Sequence, residues 1–162
     1  MIVQEFISGG NLRIFQGWND DIWKCIILQL TYSCLEWYDN YKFIYDDWHL
    51  GNILLDSYEP SYKVSIYKAF GKKWKVNHTQ NTLIRPVLTD FARSSTISTI
   101  RSKHFEPWFL GNEISLVWDM LRHCTQNTKF IEAIDKFCIP IGEKETIHDI
   151  LSDVKTFVKC IK

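Results

Sequence analysis

The chain has 162 residues, a formal net charge of +0, a hydrophobic fraction of 46% and a charged fraction of 23%. That length and balance favour one folded domain with a sizeable core and exclude disorder across most of the chain. Zero net charge argues against a general polyanion binder, and no nucleic-acid partner is expected. The longest apolar run, Cys25 to Leu28, is far below a membrane span, so no membrane association is expected either.

Aromatic residues make up 15% of the chain, with seven tryptophans, so much of the core should be aromatic. Five cysteines stand at 25, 34, 124, 138 and 160, an odd count without a C-x-x-C pair. They read as free, mostly buried thiols of a reducing compartment, cytoplasmic or nuclear, and not as zinc ligands. Glu5 interrupts the first apolar stretch and Gly9-Gly10 follow, a pattern unlike a secretory leader.

In chain order, Ile2 to Ile7 reads as a strand and Ser8-Gly9-Gly10 as a turn. Asn11 to Gln16 is expected as a short helix or turn. Asn19 or Asp20 caps a long helix to about Tyr38, with acids at its positive end. Its apolar residues cover more than one face, so it should be central and buried. Short strands are expected at Phe43–Tyr45, Asn52–Leu55, Tyr62–Tyr67, Trp74–Asn77 and Ile84–Thr89, with a hairpin turn at Gly71-Lys72 and limited pairing at Pro86. Helices are expected over Asn112 to about Cys124 and over Phe130–Phe137, the latter stopping before Pro140. Thr146 caps a last helix whose stripe is Ile147, Ile150, Leu151, Val154, Phe157, Val158 and Ile161, and Asp149 completes a capping-box pattern.

The chemistry-bearing segments lie between the strands. The first reads Tyr45-Asp46-Asp47-Trp48-His49-Leu50-Gly51-Asn52-Ile53-Leu54-Leu55, an acid five residues before an amide that enters an apolar strand. The second reads Val87-Leu88-Thr89-Asp90-Phe91-Ala92-Arg93, an acid that ends a strand and meets Phe. Taken singly, an acid and amide at this spacing are usually a turn, and an Asp-Phe pair at a strand end usually carries no chemistry.

Taken together and in this order, the chain resembles the C-terminal lobe of protein-kinase-like phosphotransferases. Asp47 and Asn52 match the acid and amide of the H-R-D-L-x-x-x-N loop, and Asp90-Phe91 match the start of D-F-G. The wording D-x-H-x-G-N-I-L-L is closest in style to haspin, to kinase-like proteins of large DNA viruses, and to small-molecule kinases of the aminoglycoside and choline type. Ile2 to Leu12 resembles a kinase hinge. The resemblance implies an α+β, mainly helical fold: one C-terminal lobe over residues 1–162 with short strands and an inserted hairpin, the N-terminal lobe absent. Residues 1–12 would be hinge-like, 45–56 catalytic-loop-like and 90–93 D-F-G-like.

By that resemblance Asp47 is the catalytic acid that orients the acceptor hydroxyl and takes its proton. Asn52 and Asp90 would hold Mg²⁺, and Gln4, Glu5, Phe6 and Leu54 would face ATP. His49 and Phe91 would support the loop. The implied activity is a reduced Ser/Thr protein kinase using Mg-ATP on a protein substrate. The alternative is a catalytically inactive lobe mimic, a pseudokinase, that binds a partner kinase or its substrate. A viral origin, and a place in a host cell, are compatible with the Ile-, Asn-, Lys- and Tyr-rich composition.

The sequence also departs from the family. Tyr45 and Asp46 stand for His and Arg, Trp48 for Leu, and Ala92 for Gly, which restricts the backbone after the acid. No A-P-E segment follows. Lys72, Lys73 and Lys75 at the hairpin are the cations that could approach a phosphate.

Overall fold

A computed structural model describes residues 10–59, 61–96 and 106–162. Among these, the chain forms four α-helices and three small antiparallel sheets of two strands each, an α+β arrangement about half helical. No helix among them is long and apolar enough to cross a membrane.

Helix α1 (Asp20–Tyr41) organises the rest. Asn19 caps it by accepting the Ile22 N–H at 2.9 Å, and Asp20 and Asp21 follow in the first turn, where the helix dipole favours acids. It ends where Lys42 turns left-handed at φ 51 and its N–H bonds the Tyr38 carbonyl at 3.0 Å, a turn later than expected. Trp23, Ile26, Ile27, Leu30 and Leu35 are almost wholly buried, because α1 lies between a helical layer and a strand layer. The aromatic excess fills this interior: Trp23 stacks on Phe130 at 4.8 Å and Trp118 on Phe157 at 4.0 Å. Both indoles also find acceptors, Trp23 the Leu121 carbonyl and Trp118 the Thr31 hydroxyl, each at 2.9 Å.

On one side lie the strands. Short β1 (Phe43–Ile44) pairs with β6 (Ser95–Thr96). Strand β2 (Ile53–Ser57) pairs with β5 (Ile84–Leu88), with Ile53 opposite Leu88 and Leu55 opposite Pro86. The inserted hairpin is β3 (Val64–Ala69) with β4 (Lys72–Asn77). Its turn is Phe70-Gly71, one residue earlier than expected, and both residues are left-handed at φ 52 and 69, the geometry of a two-residue primed turn. Phe70 tolerates it because its N–H bonds Asp39 at 2.6 Å and its ring packs on Tyr38.

On the other side lie α2 (Glu106–Arg122), α3 (Thr128–Gly142) and α4 (Ile147–Cys160). Helix α2 starts before Asn112, because Pro107 sits in a first turn that needs no N–H from it. Helix α3 runs through Pro140 instead of stopping before it, since the lost hydrogen bond falls in the last turn and Ile141 beyond it is fully buried. In α4, Thr146 caps the Asp149 N–H at 3.1 Å, and the expected stripe from Ile150 to Ile161 is buried, with Ile147 half-buried at its start. Asn11 to Gln16 is a turn, with Asn11 bridged to Leu54. The strand expected at Ile2 to Ile7 lies outside the described residues.

Candidate functional site

The site is built on the β2–β5 ladder. Ile53 opposite Leu88 puts Asn52 opposite Thr89, so the loop that ends at Asn52 and the segment that begins at Asp90 leave the same end of the ladder. Thr89 fastens them: its N–H and its hydroxyl both bond the Asn52 carbonyl, at 2.9 and 3.1 Å. Tyr45, fully buried, donates its hydroxyl to the Thr89 carbonyl from the start of the same loop. Burial pushes that phenol up to about 12, and the charges of Asp47, Asp90 and Glu113 push it the same way.

Asp47 sits in this loop with its carboxylate largely covered. Asn52 donates its amide to Asp47 Oδ2 at 2.8 Å, and the Arg93 guanidinium reaches Oδ1 at 3.4 Å. His49 Nδ1 accepts the Gly51 N–H at 3.2 Å, so Nε2 carries the proton and faces Asp47 Oδ2 at 3.9 Å. Asp90 is left-handed at φ 55, a conformation that Asp tolerates better than most residues, and its Oδ1 accepts the Ala92 N–H at 3.3 Å. The left-handed residue of this segment is thus Asp90 itself. Position 92 needs no glycine, and Ala92 does not restrict the turn as the sequence suggests.

Phe91 is half exposed and meets Tyr45 edge-on at 5.5 Å, with Phe43 at 6.2 Å. Leu54 is half-buried on β2, opposite Val87 and bridged to Asn11. Gln4, Glu5 and Phe6 lie outside the described residues. Of the hairpin lysines, Lys72 meets Lys155 of α4, a like-charge contact that lowers the Lys155 ammonium.

Sequence reading misses the residue that holds the loop. Glu113 projects from α2 and is 4% exposed. Its Oε2 accepts the Tyr45 N–H and the Trp48 indole, both at 2.9 Å, and its Oε1 accepts the Asp46 N–H at 3.0 Å. Desolvation raises its carboxyl above the ordinary value, and the three N–H bonds offset part of that rise. Asp46 is left-handed at φ 55, which suits an N–H drawn sideways onto Glu113. The signal was present. Glu113 lies one turn from Val117 and beside Ile114, on the apolar stripe of α2, and an acid there must find donors.

The donor set suits a hard cation. The Asn52 amide nitrogen is committed to Asp47, which leaves its carbonyl oxygen as the ligating end, and Asp90 keeps a carboxylate oxygen beyond the one bonded to Ala92. No cluster of three or more His, Cys, Asp or Glu gathers at ligand distance among the described residues. A two-residue oxygen set is what Mg²⁺ uses when phosphate and water supply the remaining ligands.

The loop also borders a cavity of about 520 Å³ between the turn before α1, Leu50 and the α2–α3 connection. Compared with protein-family models and with curated proteins, the chain matches none.

Proposed function

We propose that the chain is a protein-kinase-like lobe that transfers a phosphoryl group from Mg-ATP to a Ser/Thr hydroxyl of a protein. The observation that carries this reading is the convergence of Asp47, Asn52 and Asp90 on one end of the β2–β5 ladder, with Asn52 bonded to Asp47. Asp47 orients the acceptor hydroxyl and takes its proton as the oxygen attacks the terminal phosphorus, whose bond to the bridging oxygen breaks to release ADP. Asn52 and Asp90 would hold Mg²⁺, which supplies charge neutralisation at the phosphates. Asn52 and Arg93 keep donors on the Asp47 carboxylate and fix its direction, with His49 close by. The test is a thermal melt with and without Mg-ATP: the midpoint rises in the wild type, and Asp90→Ala abolishes the rise. An unchanged midpoint in the wild type would refute nucleotide binding.

A second reading, a lobe that binds and regulates a partner kinase or its substrate, is favoured by one observation. Trp37, Tyr41, Phe43 and Phe91 line an open apolar cleft, with Tyr41 68% and Phe91 52% exposed. A stoichiometric partner recovered equally by wild type and by Asp47→Asn supports it; a monomer with measurable phosphoryl transfer counts against it.

A further inference from the structure

The cavity beside the loop has a chemistry that the phosphotransfer reading does not use. It lies between the turn before α1, where Arg13 and Trp18 line it, Leu50 of the candidate catalytic loop, and the α2–α3 connection with His123 and Asn127. Trp18 is held edge-on by Phe15 and forms an apolar wall. The remaining lining mixes apolar Leu12 with polar side chains, among them one cation, Arg13, and one acid, Asp20.

Arg13 is the cation of this lining. Its guanidinium carbon lies 3.6 Å from where a side-chain carbon on Gly51 would begin, so the cation rests against the loop, next to His49. Arg13 forms no ion pair among the described residues. The acid in the lining, Asp20, keeps its charge but is tied by the Asn127 amide at 2.6 Å, and it forms no ion pair with Arg13. Among the described residues the guanidinium is thus an exposed cation without an ion-pair partner, at a cavity that also touches Leu50 of the Asp47 loop. A carboxylate or phosphate entering there gains a forked, charge-assisted partner, whereas a lysine or arginine meets like charge. Gly51 matters for the same reason: any side chain there would press on His49 and occupy the space in front of Arg13.

We propose that this cavity binds an anionic side chain of the protein acceptor, a carboxylate or a phosphorylated residue near the target hydroxyl, and that Arg13 selects for it. The inference rests on the phosphotransfer reading for its acceptor, and it names the substrate class as acidic or already phosphorylated protein segments. Arg13 is a specificity residue in this scheme, separate from Asp47, Asn52 and Asp90.

The test measures binding with the full chain, by fluorescence anisotropy of labelled serine peptides flanked by glutamates, by phosphoserines or by lysines. The glutamate and phosphoserine forms bind about two- to fivefold more tightly than the lysine form, as expected for one exposed charge contact. Arg13→Gln removes the preference, Arg13→Lys keeps part of it, and Lys72→Gln, a charge loss at the hairpin, keeps it whole. Equal binding of all three peptides, or a preference that survives Arg13→Gln, overturns the proposal. Displacement by inorganic phosphate as effective as by the unlabelled phosphopeptide also overturns it, because the site would then serve a free anion. The Mg-ATP melt on the wild type, set beside the wild type's peptide preference, separates the two readings. A retained nucleotide shift with no acid preference refutes the pocket alone, and an acid preference without a nucleotide shift refutes the nucleotide alone.

Discussion

Glu113→Ala should loosen the loop that carries Asp47 without touching Asp47. Truncation removes one acceptor from three N–H donors, those of Tyr45, Asp46 and the Trp48 indole. A buried donor left unsatisfied costs about 1–3 kcal/mol. Water can reach the two partly buried donors, and the cost of burying the charge disappears, so the net loss is about 3 kcal/mol. For a chain of this size that lowers the melting midpoint by about 6–12 °C. Glu113→Gln keeps an oxygen for Tyr45 and Trp48 but turns an amide N–H toward the Asp46 N–H, for a loss of about 1 kcal/mol. The pH dependence has a fixed sign. Desolvation raises the Glu113 carboxyl above 4.5, so its contribution is fully present below that value and is lost as pH rises through the folded one. The gap between wild type and Glu113→Gln is therefore wider at about pH 4 than at about pH 7, other titrations being common to both. Denaturant melts at the two pH values measure it, and amide hydrogen exchange at Asp46 reports the loop. A Glu113→Ala midpoint equal to wild type with unchanged exchange, or a gap that widens toward neutral pH, would refute the reasoning.

Gly111→Ala sets two rules against each other. Helix propensity predicts a gain of about 1 kcal/mol, but the new Cβ would lie 2.2 Å from the Ile141 carbonyl oxygen and 3.3 Å from Gly142 Cα. Backbone cannot swing aside, so α2 and α3 must part, at about 1–3 kcal/mol or more; a raised midpoint in a thermal melt would show the approach to be looser. Tyr45→Phe removes the hydroxyl that bonds the Thr89 carbonyl and should lower the unfolding free energy in urea by about 1 kcal/mol; no change would mean that the bond is replaced by solvent. Burial pushes the thiols of Cys25 and Cys124 up to about 11 and that of Cys34 well above the ordinary value. Iodoacetamide near neutral pH should therefore spare Cys25 and Cys34 in the native chain and label all five cysteines once it is unfolded, read by mass spectrometry. Native labelling of Cys34 at the rate of a free thiol would contradict the burial.

Local chemistry was legible where one residue decides the outcome. Asn19 with two acids behind it starts α1, and Thr146 starts α4, because a side-chain oxygen close to free N–H groups needs no tertiary help. It was less legible where tertiary packing decides. Pro140 looks like a stop, yet burial of Ile141 draws α3 one turn further. Ser95-Thr96 carries no apolar alternation, and it is a strand only because β1 is there to pair with it. The acid and amide of the loop could be picked out by their spacing, but the buried network around His78 could not. There His78 lies 2.7 Å from the Ser65 hydroxyl and 2.8 Å from the Thr82 carbonyl, and Gln29 donates to the Ile84 carbonyl at 2.7 Å. These polar residues sit on strands and a helix far apart in the chain, and nothing local announces that the fold joins them.

The departures at the loop start acquire a physical sense from their partners. Tyr45 stands where the resemblance calls for His, and its hydroxyl reaches the Thr89 carbonyl while its ring meets Trp48 and Phe91 edge-on. Trp48 stands where Leu is usual, and its indole nitrogen supplies one of the donors that Glu113 requires. Asp46 replaces an arginine, and its backbone N–H supplies another. A loop drifting free of selection would be expected to leave buried polar groups unmatched. Among the described residues one such side-chain atom occurs, Asn11 Oδ1, and it lies outside this loop. Tyr45, Trp48 and Glu113 instead form one mutually satisfied set that fixes the backbone on either side of Asp47. Catalysis by positioning depends on such fixing, since a displacement of about 1 Å at the reacting groups costs about a hundredfold in rate. The altered residues are thus compatible with a working loop held in a different way, and the Mg-ATP melt takes precedence over any experiment that assumes the site is dead.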